Sequence, residues 1–226
     1  MNDAKIIALT NPILSAWETG TESPIGAEAF IAYTARVSNP SNQSNTLTAP
    51  KLLSYLIKHK HWSPFEMVSV TMEINTTRDI SHQIIRHRSF SFQEFSQRYA
   101  DPTKDMSFVT REARLQDAKN RQNSIATSDK ELENKWYEQQ RWAIIFAKEE
   151  YNKAIDNGIA KEQARAILPE GLTATRLYMS GTLRSWIHYI DVRAEVGTQK
   201  EHRQVALAAQ KEILQHFPSL RDYWQE

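Results

Sequence analysis

The chain has 226 residues, 40 % of them hydrophobic, with a formal net charge of +1 and no cysteine. That length holds one large domain or two small ones, with a sizeable core. Near-neutral charge argues against a dedicated nucleic-acid binder, which carries a strong basic excess, and the absence of cysteine excludes disulfides, thiolate metal sites and thiol nucleophiles.

In chain order, Ile6-Ile7-Ala8-Leu9 reads as a first strand and is too short for a secretory signal. No apolar run approaches the ~20 residues that span a bilayer, so a soluble cytoplasmic protein with no membrane partner is expected. Ile25 to Val37 has helical composition and ends before the breaker cluster Ser38-Asn39-Pro40-Ser41-Asn42. Pro50 to Lys58 reads as a helix, broken by His61-Trp62-Ser63-Pro64. Val68, Val70, Met72 and Ile74 alternate with Ser69, Thr71 and Glu73, the period of a half-buried strand. Asn75-Thr76-Thr77 can cap a helix from Arg78 to about His87, with Ile80 and Ile84 on one face and Gln83 and Arg86 near each other on another.

Arg86 to Tyr99 reads as a basic, serine-rich loop. Asp101 to Thr127 is polar and irregular apart from Met106 to Val109, and a surface excursion is expected there. Ser128-Asp129-Lys130-Glu131 matches a capping box. It predicts a long helix to Asn157, stopped by Gly158, with Leu132, Trp136, Ala143, Ala147, Tyr151 and Ala154 as its stripe. Ala160 to Leu168 is a short helix before Pro169, and Leu172 to Ser180 alternates like a strand. Leu183, Trp186, Ile187 and Ile190 form a helical stripe, and Gln199 to His216 is a last helix. The whole is α+β and helix-rich, with no linker, and is expected to form one domain over residues 1–226.

Three polar clusters stand out. The first, Arg86 to Tyr99, puts three arginines, a histidine, a carboxylate and three serines into fourteen residues. Arginine forks and serine hydroxyls suit an anion, and Glu94 can accept hydrogens from a ring or sugar. The second is His61-Trp62-Ser63-Pro64-Phe65-Glu66. Its bland alternative is a capped turn, with Ser63 as N-cap, Pro64 first in the helix and Glu66 as box partner. The third runs from Arg184 through His188 to Arg193, with Arg165 separate but similar in type. Arg184 and His188 are four apart and share a face opposite Leu183 and Ile187. The bland alternative here is a solvated basic face.

Familiar sites are missing. The sequence holds no glycine-built nucleotide loop, no His-Glu-x-x-His and no Gly-x-Ser-x-Gly. His59/His61 and His82/His87 lack a carboxylate at metal spacing, so no metal is expected. Any phosphate must be held by side chains and ordinary backbone amides.

These residues resemble the flavin-dependent thymidylate synthases. Arg86-His87-Arg88, seven residues, then Ser96 matches that family's signature, and Gln93-Glu94-x-Ser96-x-Arg98-Tyr99 fits its fuller form. Ala35-Arg36-Val37-Ser38, His61-x-Ser63-Pro64-Phe65-Glu66, Arg165-x-x-Leu168-Pro169 and Arg184-x-Trp186-x-His188-Tyr189-x-x-x-Arg193 look like its other elements, in the family's order. The resemblance implies the family's α+β fold with a small, mostly antiparallel sheet. It implies methylation of dUMP to dTMP, with methylenetetrahydrofolate as carbon donor and a bound FAD, reduced by NADPH, as hydride source. Such chemistry does not need the cysteine that this chain lacks.

By the same resemblance, Gln83, Arg86, Glu94, Phe95, Ser96, Gln97, Arg98 and Arg165 fall where the family binds dUMP, with Ser96-Gln97-Arg98 and Arg165 at the phosphate. Arg193 matches the catalytic arginine that polarises the uracil. Ser38, His61, Ser63, Glu66, Arg86, His87, Arg88, Ser89, Glu94, Thr182, Arg184 and His188 fall at or near flavin-binding positions. The family is a homotetramer with active sites shared between subunits. The chain departs from the pattern at Met67, Gln97, Gly197 and His202, more in the flavin and folate surroundings than at the phosphate. Two other readings stay open at this point: a nucleotide- or RNA-binding homologue without turnover, and a histidine metal enzyme.

Overall fold

The computed structural model describes residues 1–14 and 24–225. Its centre is a four-stranded antiparallel sheet of β1 (Asp3–Leu9), β2 (Ser69–Thr77), β3 (Ser91–Glu94) and β6 (Ala174–Thr182), in the order β1-β2-β6-β3. The alternation in β2 puts Val70, Met72 and Ile74 fully inside, and Leu177 and Met179 of β6 join them. Strands β2 and β6 pair over nine residues, from Ser69 opposite Thr182 to Thr77 opposite Ala174.

The inner face of the sheet is covered by α7 (Leu183–Arg193) and α8 (Lys200–His216). Leu183, Trp186, Ile187 and Ile190 are buried as the stripe predicts. The Trp186 indole donates to the Val70 carbonyl at 3.0 Å, so its buried N–H is satisfied. Helices α1 (Ala27–Ala35) and α2 (Ala49–Lys58) extend the same core through Ile31, Leu53 and Leu56.

Helix α2 ends in a Schellman turn. His61 N–H bonds the Leu56 carbonyl at 2.8 Å and Lys60 N–H the Ile57 carbonyl at 2.9 Å. Lys60 accordingly adopts φ 56, a left-handed conformation usually left to glycine.

Several expectations are corrected. Helix α3 (Arg78–Ile84) stops three residues short of His87, because the chain must turn to bring β3 beside β6. Ser91 to Glu94 is therefore a strand within the expected loop. The excursion at 101–127 is also partly ordered. It holds α4 (Pro102–Asp105), a bridge from Phe108 to Thr173, and a hairpin of β4 (Arg114–Gln116) and β5 (Ser124–Ala126).

The long helix is α5 (Lys130–Asp156), and its N-cap is Asp129, not Ser128. The Asp129 carboxylate accepts from the N–H groups of Glu131 and Leu132, both at 3.0 Å. Ala147 and Tyr151 of its stripe are buried, in a small core with Ala164 and Leu168, but Trp136 is 39 % exposed. The buried polar residue is Gln140, which clasps the Arg111 backbone through N–H to Oε1 at 2.7 Å and Nε2 to O at 2.9 Å. Helix α6 (Lys161–Ala164) and a 3-10 turn to Ile167 replace the single helix expected up to Leu168.

Candidate active site

The site is organised by the chain from Arg86 to Arg98. Phe90 anchors it: its ring meets Trp186 edge-on at 4.9 Å and lies over Gly181, where a Cβ would come within 2.5 Å of the ring. Only glycine admits that approach. Strand β3 then locks onto β6, from Ser91 opposite Ser180 to Glu94 opposite Leu177. The anchored chain reaches three places.

The first is a cleft of about 540 Å³ lined by Ser89, Arg184, His188, Glu66, Lys60, Trp62 and Tyr223, among others. Arg184 and His188 project from one face of α7, as four-residue spacing predicts. Arg184 pairs with Glu66, which brings the second and third polar clusters together. The capped-turn alternative for Ser63 is not what forms. Trp62 is the N-cap of the 3-10 turn Ser63–Met67, and no side chain caps it. Tyr223 donates to Asp191 at 2.8 Å, and burial together with that carboxylate pushes its phenol up to about 12.

The second is a cleft of about 380 Å³ lined by Arg78, Gln97, Arg165 and Thr173, among others. Gln97 is 5 % exposed, and its Nε2 has no partner among the described residues. Two arginines beside this buried amide suit an anion, and the Glu170 carboxylate also lines the cleft. Glu94 borders this region and is already engaged, accepting from Thr175 Oγ1 at 2.8 Å and pairing with Arg78 at 3.3 Å. Ser96 Oγ accepts from Arg98 N–H at 3.3 Å, while the exposed Arg98 side chain lies 3.6 Å from Glu162.

The third place lies at the C-terminal end of α7, where Arg193 Nε donates to His87 Nε2 at 2.9 Å. An imidazole nitrogen that accepts must be unprotonated. Burial, then the positive charge of Arg193, lowers the His87 pKa from 6.5 to about 4. Beside it, His202 is fully buried between Tyr189 OH at 3.1 Å and Gln83 Oε1 at 3.3 Å. Burial, then Arg193, lowers its pKa to about 3.

Arg86, Arg88 and Ser89 are exposed, and no side-chain hydrogen bond joins them to another described residue. Phe95 is half-buried, and its N–H extends the sheet by bonding the Arg176 carbonyl at 2.9 Å. Thr182 caps α7 by accepting from Ser185 N–H at 3.2 Å. Ser38, His61 and Ser63 are exposed and line neither cleft, although His61 lies between Lys60 and Trp62, which line the first. In Ala35-Arg36-Val37-Ser38 the buried member is Arg36, which donates to the Asn45 carbonyl and, at 2.7 Å, to Thr48 Oγ1. Sequence reasoning missed Lys60, Trp62, Arg78 and Tyr223 as lining residues. Trp62 stood inside a polar cluster and could have been included, but nothing near Tyr223 in sequence marks it. Among the described residues, no three histidine or acidic side chains are grouped to hold a metal ion.

Comparison with known proteins gives this geometry a family. The model for "thymidylate synthase complementing protein" matches residues 22–219. The "Probable flavin-dependent thymidylate synthase" of Paramecium bursaria Chlorella virus 1 is 48 % identical over 217 residues, covering 96 % of each chain. The flavin-dependent thymidylate synthase of Synechocystis sp. is 49 % identical over 219 residues, covering 96 % of this chain and 97 % of that one. Among solved structures, the UMP/dUMP methylase PolB from Streptomyces cacaoi bound with 5-Br dUMP has the same fold. It matches at a TM-score of 0.79 and 23 % identity, over 100 % of this chain and 95 % of that one. With the order of the polar motifs, the antiparallel sheet that assembles them and relatives nearly half identical end to end, this chain belongs to the flavin-dependent thymidylate synthase family.

Proposed function

We propose that the chain converts dUMP to dTMP, with methylenetetrahydrofolate as carbon donor and NADPH as reductant of a bound FAD. The observation that carries this reading is that one segment serves all three places. Arg86–Arg98 gives His87 to Arg193, Ser89 to the larger cleft and Gln97 to the smaller one.

The larger cleft suits a flavin nucleotide by its donor set. Lys60, Arg184 and His188 offer positive or donating groups for phosphates, Trp62 and Tyr223 offer aromatic faces, and Ser89 offers a hydroxyl. Exposed Arg86 and Arg88 extend that surface, and Ser38, His61, Ser63, Glu66, His87, Glu94 and Thr182 complete the proposed flavin set. Bound and reduced, FAD supplies a hydride.

The smaller cleft suits the dUMP phosphate, through Arg165, the unpartnered Gln97 amide and the neighbouring Ser96 and Arg98. Gln83, Arg86, Glu94 and Phe95 complete the proposed dUMP set. Arg193 carries the proposed catalytic role. Its Nε is held by neutral His87, which leaves the two terminal amino groups free to face a uracil oxygen. A guanidinium there stabilises the ring anion formed by loss of a proton, which raises electron density at the carbon to be methylated.

We also propose a cytoplasmic homotetramer with active sites shared between subunits. Trp142 and Phe146, one turn apart on α5, are 60 % and 63 % exposed, which suits a face covered by another copy. Among the described residues, no helix is long and apolar enough to cross a membrane.

The test is a visible absorption spectrum of purified protein together with NADPH oxidation. The expected result is a yellow protein whose NADPH oxidation depends on dUMP and yields dTMP. A colourless protein that cannot be loaded with flavin, or flavin turnover without dTMP, would overturn the reading.

A further inference from the structure

Gln83 sits inside a chain of polar side chains that no expected role explains. Gln199 Nε2 lies 3.1 Å from Glu201 Oε2, Gln83 Nε2 lies 2.8 Å from Gln199 Oε1, His202 Nδ1 lies 3.3 Å from Gln83 Oε1, and His202 Nε2 lies 3.1 Å from Tyr189 OH. Glu201, His202 and Tyr189 are buried, so none of them can turn to water for a substitute partner.

One end of this chain has no freedom. Glu201 is paired with Arg114 at 2.5 Å. Burial alone would raise its carboxyl, but hydrogen bonds from Arg114, its own backbone N–H and Gln199 outweigh that and hold it below the usual range. An ionised carboxylate only accepts. Gln199 must therefore turn its amide N–H₂ toward Glu201 and its carbonyl toward Gln83. Gln83 must then donate to Gln199 and turn its own carbonyl toward His202. His202 must carry its proton on Nδ1, so its Nε2 accepts from the Tyr189 hydroxyl. Each step follows from the donor and acceptor inventory once Glu201 is charged.

We propose that Glu201, acting through Gln199, and His202 on the other side fix the orientation of the Gln83 carboxamide, making them positioning residues for the pyrimidine of the substrate. This rests on the proposed role of Gln83 in binding dUMP. The fixed amide keeps one Nε2 proton and one Oε1 lone pair for a ligand, in set places. A uracil edge needs that pattern, because it carries a carbonyl oxygen beside a ring N–H. An amide free to flip would present it in only part of the population.

The tautomer can be read without any substrate. Magic-angle-spinning ¹⁵N spectra of the full chain labelled at histidine, with His202→Asn to assign the signal, should show His202 protonated at Nδ1 at neutral pH. Glu201→Gln should release the chain, because a glutamine there can donate or accept, and should give a mixture of His202 tautomers. Glu112→Gln, which alters the other carboxylate beside Arg114, should leave the Nδ1 tautomer intact.

In turnover, Glu201→Gln and His202→Ile should each raise the KM for dUMP about tenfold, the usual cost of one poorly oriented hydrogen bond, with kcat changed much less. His202→Asn keeps a donor at the Nδ1 position and the Arg114–Glu201 pair, and should recover most of the affinity lost in His202→Ile. A wild-type His202 protonated at Nε2 would overturn the proposal. So would a folded Glu201→Gln protein with unchanged tautomer and unchanged KM. Wild-type protein that shows the Nδ1 tautomer but binds no dUMP would instead sink the assigned role of Gln83, and with it the claim that the chain orients a substrate.

Discussion

Arg193 Nε donates to Nε2 of His87 at 2.9 Å, which ties the end of α7 to the arginine-rich segment that follows α3. The bond spends the one guanidinium N–H that points back along the side chain. Replacing Arg193 by Ala should leave flavin bound while lowering dTMP formation about 10²- to 10³-fold, the usual cost of one preorganised donor to a developing oxyanion. Lysine should not restore it, because a single ammonium cannot donate to His87 and face the ring together. Bound flavin and product formation measured on the same sample check both points, and undiminished turnover in the Ala variant would remove Arg193 from the mechanism.

Acid should destabilise the protein through two histidines. His87 and His202 titrate near 4 and 3 in the folded chain, against 6.5 in a free side chain, chiefly because burial disfavours their charged forms. Between pH 6.5 and about 4 the unfolded chain binds protons that the native chain excludes, so stability is full above 6.5 and falls as pH drops through that window. Unfolding at pH 5 should take up about two protons from this pair, and His202→Asn should remove one of them. Urea midpoints from pH 7 to pH 4.5 give the slope directly, and a flat profile would contradict buried neutral histidines.

Gly181 should tolerate no side chain. A Cβ there would sit 2.5 Å from the Phe90 ring, which is itself wedged against Trp186. Gly181→Ala should cost about 1–3 kcal/mol and weaken flavin retention by displacing Ser89 along with Phe90. Adding Phe90→Leu should return part of the stability, since the two substitutions share one contact. Thermal melts and flavin absorbance of the single and double variants test this, and additive losses would show that the contact is not the cause.

Lys60 should illustrate a trade of stability for function. Its left-handed φ of 56 costs a residue bearing a Cβ about 1 kcal/mol relative to glycine, yet its side chain lines the larger cleft. Lys60→Gly should raise the melting temperature and reduce flavin affinity several-fold. Lys60→Asn, which tolerates the same backbone, should lose the affinity with a smaller gain in stability. A glycine variant that binds flavin as well as the parent would make the lysine incidental.

Much of the fold was legible because its cues are local. The alternation of Val70, Met72 and Ile74 marked a strand, Leu183 to Ile190 marked a buried helix face, and Gly158 marked a helix end that does adopt φ 81. The misreadings have tertiary causes. Ser91 to Glu94 is too short and too polar to announce a strand and becomes one because β6 offers it a partner. Trp136 resembled a core residue, yet the N-terminal half of α5 docks through Gln140, which satisfies a backbone that no local pattern shows to be exposed, while Ala147 and Tyr151 pack as the stripe predicts.

By itself the sequence determined the family, the order of the polar motifs and the reaction class they imply, because motif residues at fixed spacing are a property of the chain alone. It also settled that no thiol takes part, since there is no cysteine. Tertiary structure alone decided that Glu66 meets Arg184 across 118 positions, that His87 holds Arg193, and that Gln83 lies between Gln199 and His202. Those contacts join residues more than a hundred positions apart, and only the packing of α7 and α8 against one sheet brings them within hydrogen-bond reach. The arginine-rich segment could thus be found from its composition, but what each of its side chains touches is set by the helices folded beside it.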